Sequence, residues 1–228
     1  MERIPIIKIF FKNLRILPFV IFIWNCENQF SKNELYLPPG KPDAFPELTE
    51  RNRLLGELSP ERSCYDVLHY LIDIDFDIEK KYIKGFVEIR STAKADFSIL
   101  QIDLARKMML NKVEFQDQIL KTSRNKDAVF IEFPNIKDGE NFTFRIYYEG
   151  KPLESKNPPW DGGFVWEKDK DGRPFISVAC EGDGASLWWP LKDHIADEPD
   201  EGATMTFTVP SELYCVSNGR LIDISSTE

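Results

Sequence analysis

Alternation constrains this chain more than any other feature of its sequence. Starting at Tyr65, the apolar residues Leu68, Tyr70, Ile72, Ile74, Phe76 and Ile78 occupy every second place, and His69, Asp73, Asp75 and Asp77 lie between them. Successive side chains of a strand point to opposite faces, so a period of two over this length reads as a half-buried strand and excludes an amphipathic helix. The pattern returns in Leu100, Ile102 and Leu104, in Phe142, Phe144, Ile146 and Tyr148, and in Met205, Phe207 and Val209. Shorter candidates are Phe86–Ile89, Val113–Phe115, Val129–Phe133 and Phe175–Ala179. Turn formers punctuate them: Lys84-Gly85, Asp138-Gly139, Asp161-Gly162-Gly163, Asp171-Gly172 and Asn218-Gly219. Asp-Gly and Asn-Gly accept the positive φ that tight hairpins require. No long helical period follows Ser63. The expectation is an all-β, mainly antiparallel domain, a sandwich or a saddle-shaped sheet, over residues 62–228. The 17 Phe and 5 Trp suit the wide, flat interior of such a fold.

The first sixty residues read differently. Arg3, Lys8, Lys12 and Arg15 precede the uncharged run Ile16–Trp24, which is the order of a bacterial export signal over residues 1–26. Nine uncharged residues are too few to cross a bilayer core, which needs about 20. The run ends at Ile23-Trp24-Asn25-Cys26, a relaxed form of the lipobox of bacterial lipoproteins. Two outcomes stay open: a lipid on Cys26 that anchors the chain to a membrane, or cleavage nearby and release. Both imply export to the bacterial cell envelope. Residues 27–61 carry Pro38, Pro39, Pro42, Pro46 and Pro60 and read as a linker with one short helix around Glu47–Leu58.

With 29 Lys and Arg against 38 Asp and Glu, the net charge of -9 argues against a nucleic-acid partner, which needs a basic face to neutralise phosphates. Cys26, Cys64, Cys180 and Cys215 are too few and too scattered for a disulfide framework or paired zinc ligands, so free buried thiols are expected. Asp169-Lys170-Asp171-Gly172-Arg173 lacks the ligand spacing of a calcium loop and reads as a hairpin turn. Asn141-Phe142-Thr143 matches a glycosylation acceptor but falls within a strand pattern.

Chemistry concentrates between Ala179 and His194, which runs Cys180-Glu181-Gly182-Asp183-Gly184-Ala185-Ser186-Leu187-Trp188-Trp189-Pro190, with Asp197-Glu198-Pro199-Asp200 following. Glycines allow close backbone approach, and carboxylates beside aromatic walls suit a cation. The alternative is a Gly-rich loop whose tryptophans pack inward. A strand ending in Cys-Glu, a small-residue loop, an aromatic-Pro segment and Asp-Glu-Pro-Asp resemble the amino-terminal domain of zinc aminopeptidases of the aminopeptidase N and leukotriene hydrolase family. Tyr65-Asp66-Val67-Leu68-His69-Tyr70 and Val216-Ser217-Asn218-Gly219-Arg220-Leu221 extend the resemblance from Cys64 to Ile224.

That resemblance implies a role for Glu181: binding the free α-amine of a peptide substrate, with Asp183 a weaker candidate on the same rim. A carboxylate and an ammonium form a charge-assisted hydrogen bond that selects unblocked amino termini. Trp188 and Trp189 are expected to pack. The family's G-x-M-E-N loop and H-E-x-x-H helix do not occur here, and the only histidines are His69 and His194. Zinc is therefore expected in an intact enzyme and not on this chain, whose catalytic domain is missing and which alone is expected to be inactive. A second reading makes the chain an envelope lipoprotein whose β domain serves as a non-catalytic binding module.

Overall fold

The computed structural model describes residues 4–11, 48–180 and 182–227. Along the chain come β1 (Ile4–Phe11), α1 (Glu50–Gly56), α2 (Pro60–Ser63), β2 (Tyr65–Asp77), β3 (Tyr82–Ala93), β4 (Phe97–Asp103) and β5 (Met108–Phe115). They are followed by β6 (Gln118–Leu120), β7 (Thr122–Asn125), β8 (Ala128–Ile136), β9 (Asn141–Gly150), β10 (Gly163–Lys168), β11 (Pro174–Ala179), β12 (Ala203–Thr208) and β13 (Arg220–Thr227). An eight-stranded sheet has the order β13-β1-β12-β2-β3-β9-β5-β6, beside a three-stranded sheet β4-β8-β7 and a hairpin β10-β11. The all-β expectation is met, and every strand pairing is antiparallel except that of β12 with β2.

The core lies between the two larger sheets. Phe142, Phe144, Ile146 and Tyr148 of β9 are buried at alternate positions, as the period predicts. From the other layer, the Phe97 ring of β4 lies 5.4 Å from Phe142 and the Phe133 ring of β8 lies 5.2 Å from Phe144. Such edge-on and tilted contacts add to the burial of the rings themselves. Leu100, Ile102 and Leu104 are fully buried beneath them.

Two sequence expectations are corrected. Lys84-Gly85 is no turn: both residues lie inside β3, and the hairpin is made by residues 78–81, where Lys80 N–H donates to Asp77 Oδ1 at 3.0 Å and Lys81 takes φ 52°. Gly85 is required because β2 passes close by; a Cβ there would stand 1.9 Å from the Asp73 carbonyl oxygen. The alternation in β2 also breaks phase. A register shift between Val67 and His69 puts Tyr65 and Val67 on the buried face before it and Tyr70, Ile72 and Ile74 after it, leaving Leu68 half-buried. One extra residue in a strand reverses the face of everything beyond it.

Strands β1, β10 and β13 had no period-two signal. Of the segment read as an export signal, residues 4–11 form β1, which pairs with both β12 and β13; Cys26 and most of the linker lie outside the described residues. The short helix α1 forms in the proline-free stretch before Pro60, closed by a capping box in which Asn52 N–H donates to Thr49 Oγ1 at 3.2 Å and Thr49 N–H to Asn52 Oδ1 at 3.0 Å. No helix among the described residues is long and apolar enough to cross a membrane.

Candidate functional site

The hairpin β10-β11 delivers the chain into the Cys180–His194 stretch. Its turn is the expected one: Asp169 Oδ1 accepts from Asp171 N–H at 2.8 Å and Arg173 N–H at 2.9 Å. At the far end of β11 the backbone folds back at once. The Cys180 carbonyl accepts from Gly184 N–H at 2.9 Å and from Asp183 N–H at 3.3 Å, with Gly182 at φ 78° and Gly184 at φ 82°. Glu181, the residue singled out for the amine, lies outside the described residues; its neighbours on both sides are held in this turn.

The loop is anchored from several directions. Asp193 Oδ2 accepts from Ser186 N–H at 3.0 Å, and a Cβ on Gly184 would come within 2.0 Å of that same oxygen. Asp183 Oδ2 accepts from Gly162 N–H at 3.3 Å, tying the loop to the start of β10, while the residue itself is exposed. Residues 185–187 make one 3-10 turn, and Ser186 C=O accepts from Ala105 N–H at 2.7 Å. Trp188 and Trp189 are buried, Trp188 5.6 Å from the Phe164 ring and Trp189 edge-on to Tyr70 at 5.1 Å. They pack, as expected.

Beneath the loop is a buried polar brace that the sequence did not suggest. Arg62 Nη2 donates to Asp103 Oδ2 at 2.6 Å and to the Asp193 carbonyl at 2.8 Å, and Asp193 N–H donates to Asp103 Oδ2 at 3.2 Å. Gln101 Nε2 donates to Asp103 Oδ1 at 3.0 Å. Burial pushes the Asp103 carboxyl up to about 6, against the pull of Arg62 and these hydrogen bonds. A buried pair of this kind gains little net stability, but breaking it leaves an uncompensated charge and costs about 3–5 kcal/mol. Lys192, also buried, pairs with Asp197 and donates to the Tyr65 carbonyl at 2.5 Å. No sequence pattern marks the Arg62–Asp103 pair, because its members come from α2 and β4.

A shallow hollow opens between this loop and α1. Arg51, Asn52 and Leu55 form one wall, and Gly182, Asp183 and Asp193 the other. Helix α1, part of the segment read as linker, is fixed to the sheet domain by Arg51 Nε to Asp127 Oδ2 at 2.6 Å and Lys126 Nζ to Glu50 Oε2 at 2.5 Å.

The remaining titratable candidates are accounted for locally. His69 Nε2 lies 3.1 Å from Thr204 Oγ1, and burial, then Arg90, hold its imidazole below the usual range. His194 Nδ1 accepts from Ala196 N–H at 3.1 Å. Cys64, Cys180 and Cys215 are free thiols, as expected; burial pushes Cys64 up to about 11 and raises the other two. Among the described residues no cluster of three or more His, Cys, Asp or Glu side chains is placed to hold a metal ion.

No protein-family model and no curated protein matches the sequence. Solved structures do match the fold. It is similar to a two-domain M1 zinc metallopeptidase bound to L-tryptophan, at 23% identity and a TM-score of 0.51, over 67% of this chain and 33% of that one. It is also similar to yeast LTA4 hydrolase in complex with bestatin, at 18% identity and a TM-score of 0.50, over 73% of this chain and 25% of that one. The chain thus spans a third or less of the length of these two structures. The likeness is one of fold.

Proposed function

We propose that this chain is the amino-terminal, substrate-recognising domain of a zinc-dependent aminopeptidase of the M1 type, which releases amino-terminal residues from peptides. The observation that carries the reading is the turn at the end of β11. A strand-end Cys180 and two glycines at positive φ hold the backbone on both sides of position 181, at the lip of a hollow whose wall includes Asp183 and Asp193. Acidic groups at a braced loop can orient a peptide's ammonium and give no such pairing to an acetylated terminus. In this reading Glu181 contacts the amine and Asp183 lies on the same rim.

Zinc in the intact enzyme would polarise the scissile carbonyl and activate a water. The described residues do not fit that metal: His69 is engaged with Thr204 within the sheet, and His194 with its own loop. The proposal therefore assigns zinc, and catalysis, to a catalytic domain outside these residues, and makes that domain and a peptide amino terminus the partners. In the sequence, the basic prefix and apolar run at residues 3–24 favour export to the bacterial envelope, with Cys26 the residue a lipid would take, a reading in which residues 4–11 would not remain in the sheet as β1.

The native polypeptide that contains this chain, purified from its source, should hold zinc and hydrolyse aminoacyl anilides. In it, Glu181→Ala should raise KM by about tenfold or more, the worth of one charge-assisted hydrogen bond, and Glu181→Gln should restore part of the loss. A KM unchanged in both variants would remove Glu181 from the site. A native polypeptide free of zinc and of hydrolytic activity would favour the non-catalytic envelope module instead.

A further inference from the structure

Arg51 walls two hollows. On its far side from the Cys180–Gly184 turn lies a second one, lined by Arg51, Arg106, Lys107 and Lys126 with Leu153 and Leu187 at its base. Arg106 and Lys107 also line the next depression, where Arg124 joins them. This is an unusual concentration of cations for a chain with a net charge of -9.

Several exposed cations are matched by acids, as in Lys84 with Asp75, Arg90 with Glu201, Lys137 with Asp96 and Arg145 with Glu88, while others, Lys168 and Arg220 among them, form no ion pair among the described residues. What sets this hollow apart is that two unpaired cations stand beside two paired ones around an apolar base. Arg106 and Lys107 are exposed and form no ion pair among the described residues. The one carboxylate in the wall, Asp127, is buried and committed to Arg51 Nε at 2.6 Å and Arg106 N–H at 2.9 Å. Glu50 is already paired with Lys126. The bond from Ala105 N–H to Ser186 C=O couples the β4–β5 turn, which carries Arg106, directly to the candidate loop.

We propose that this hollow binds a carboxylate of the same peptide whose amino terminus lies at the Cys180–Gly184 turn, so that the domain prefers peptides with an acidic group downstream of a free amine. The inference rests on the amine-recognition reading for its peptide, and on the unmatched cations for its carboxylate. Guanidinium and ammonium groups over an apolar floor offer a carboxylate directional donors and reduced competition from water. The acidic wall at one end and the basic wall at the other would also fix the direction in which the peptide lies.

The test uses this chain, labelled with nitrogen-15, and four short peptides: Ala-Ala-Ala-Glu-Glu amide, its Lys-Lys counterpart, the acetylated Glu-Glu amide, and penta-alanine as the free acid. At low salt the Glu-Glu amide should bind about tenfold more tightly than the Lys-Lys amide, as expected for two partly exposed charge pairs, and should shift the amides of Ala105, Arg106, Lys107 and Lys126. The double variant Arg106→Gln, Lys107→Gln, whose spectrum should otherwise match the parent because both side chains are exposed, should abolish the difference. Equal binding of the two amides, or a preference that survives the double variant, would overturn the proposal. Penta-alanine binding as well as the Glu-Glu amide would support the proposal with a terminal carboxylate as the ligand; weaker binding would support it with acidic side chains. Acetylation separates the two readings. If it removes shifts at Gly182 and Gly184 but leaves those at Arg106 and Lys107, both stand; if it changes nothing at the turn while the acid preference persists, the amine reading fails and the carboxylate site remains.

Discussion

Gly182 and Gly184 stand two apart in one turn and are held there for different reasons. At Gly182 a Cβ would meet nothing within 4 Å, so only its φ of 78° resists a side chain. At Gly184 the backbone takes φ 82° and ψ 167°, a region populated almost only by glycine, and a Cβ would also press on the Asp193 carboxylate. Gly182→Ala should therefore cost about 1 kcal/mol in urea unfolding and Gly184→Ala about 3 kcal/mol, with the second variant alone disturbing the Ser186 amide. Equal costs would mean that the Asp193 contact is not formed. The two glycines were visible in the sequence; the carboxylate that makes one of them indispensable was not. His69 makes a prediction of a different kind. Because burial and Arg90 depress its imidazole from the ordinary value of 6.5, the unfolded chain takes up the proton first. Its contribution to stability is present above pH 6.5 and is lost as pH falls through the lower folded value. Chemical denaturation at pH 8 and pH 5.5 should show a smaller drop for His69→Gln than for the parent, and parallel drops would contradict the depressed value.

Strand β9 is legible because each of its buried side chains, Phe142, Phe144, Ile146 and Tyr148, lies two positions from the last, a signal carried by the strand alone. Strand β3 was misjudged because the reason for Gly85 lies in its neighbour: β2 approaches so closely at Asp73 that no side chain fits, and composition reads the same glycine as a turn. Gly85→Ala should lower stability by about 3 kcal/mol, through overpacking between two backbones, although alanine is otherwise tolerated in strands. A cost below about 0.5 kcal/mol, the range of an ordinary surface substitution, would show that the strands separate to admit it. The phase change in β2 belongs to the same class. The order of apolar residues predicts a strand, but only the pairing with β3 reveals that Val67 and Tyr70, an odd step apart, share a face. Strand β13 carries no period to read because many of its residues are exposed on both sides, and Leu221, Ile222 and Ile224 all reach solvent; in the short β10 only Phe164 and Trp166 alternate, too few for a signal.

For the whole molecule, the candidate loop was found from its composition, while the hollow it borders was not. That hollow is completed by α1, whose residues read as linker, and its support comes from Arg62 and Asp103, two charges buried together from different elements. The cluster of cations beside it is likewise a property of the assembled surface, since Arg51, Arg106 and Lys126 are far apart along the chain. The parallel pairing of β12 with β2 bears on how this surface comes into being. Residues 203–208 must return to lie along residues 70–75, and Arg62 must meet the Asp193 carbonyl from 131 positions away. Closing so long a chain segment is slow and entropically costly compared with forming the hairpins. The loop after β11 therefore acquires its shape late in folding, once β2 and β12 have met, and a nascent or nicked chain that has formed its hairpins would still lack a finished recognition edge.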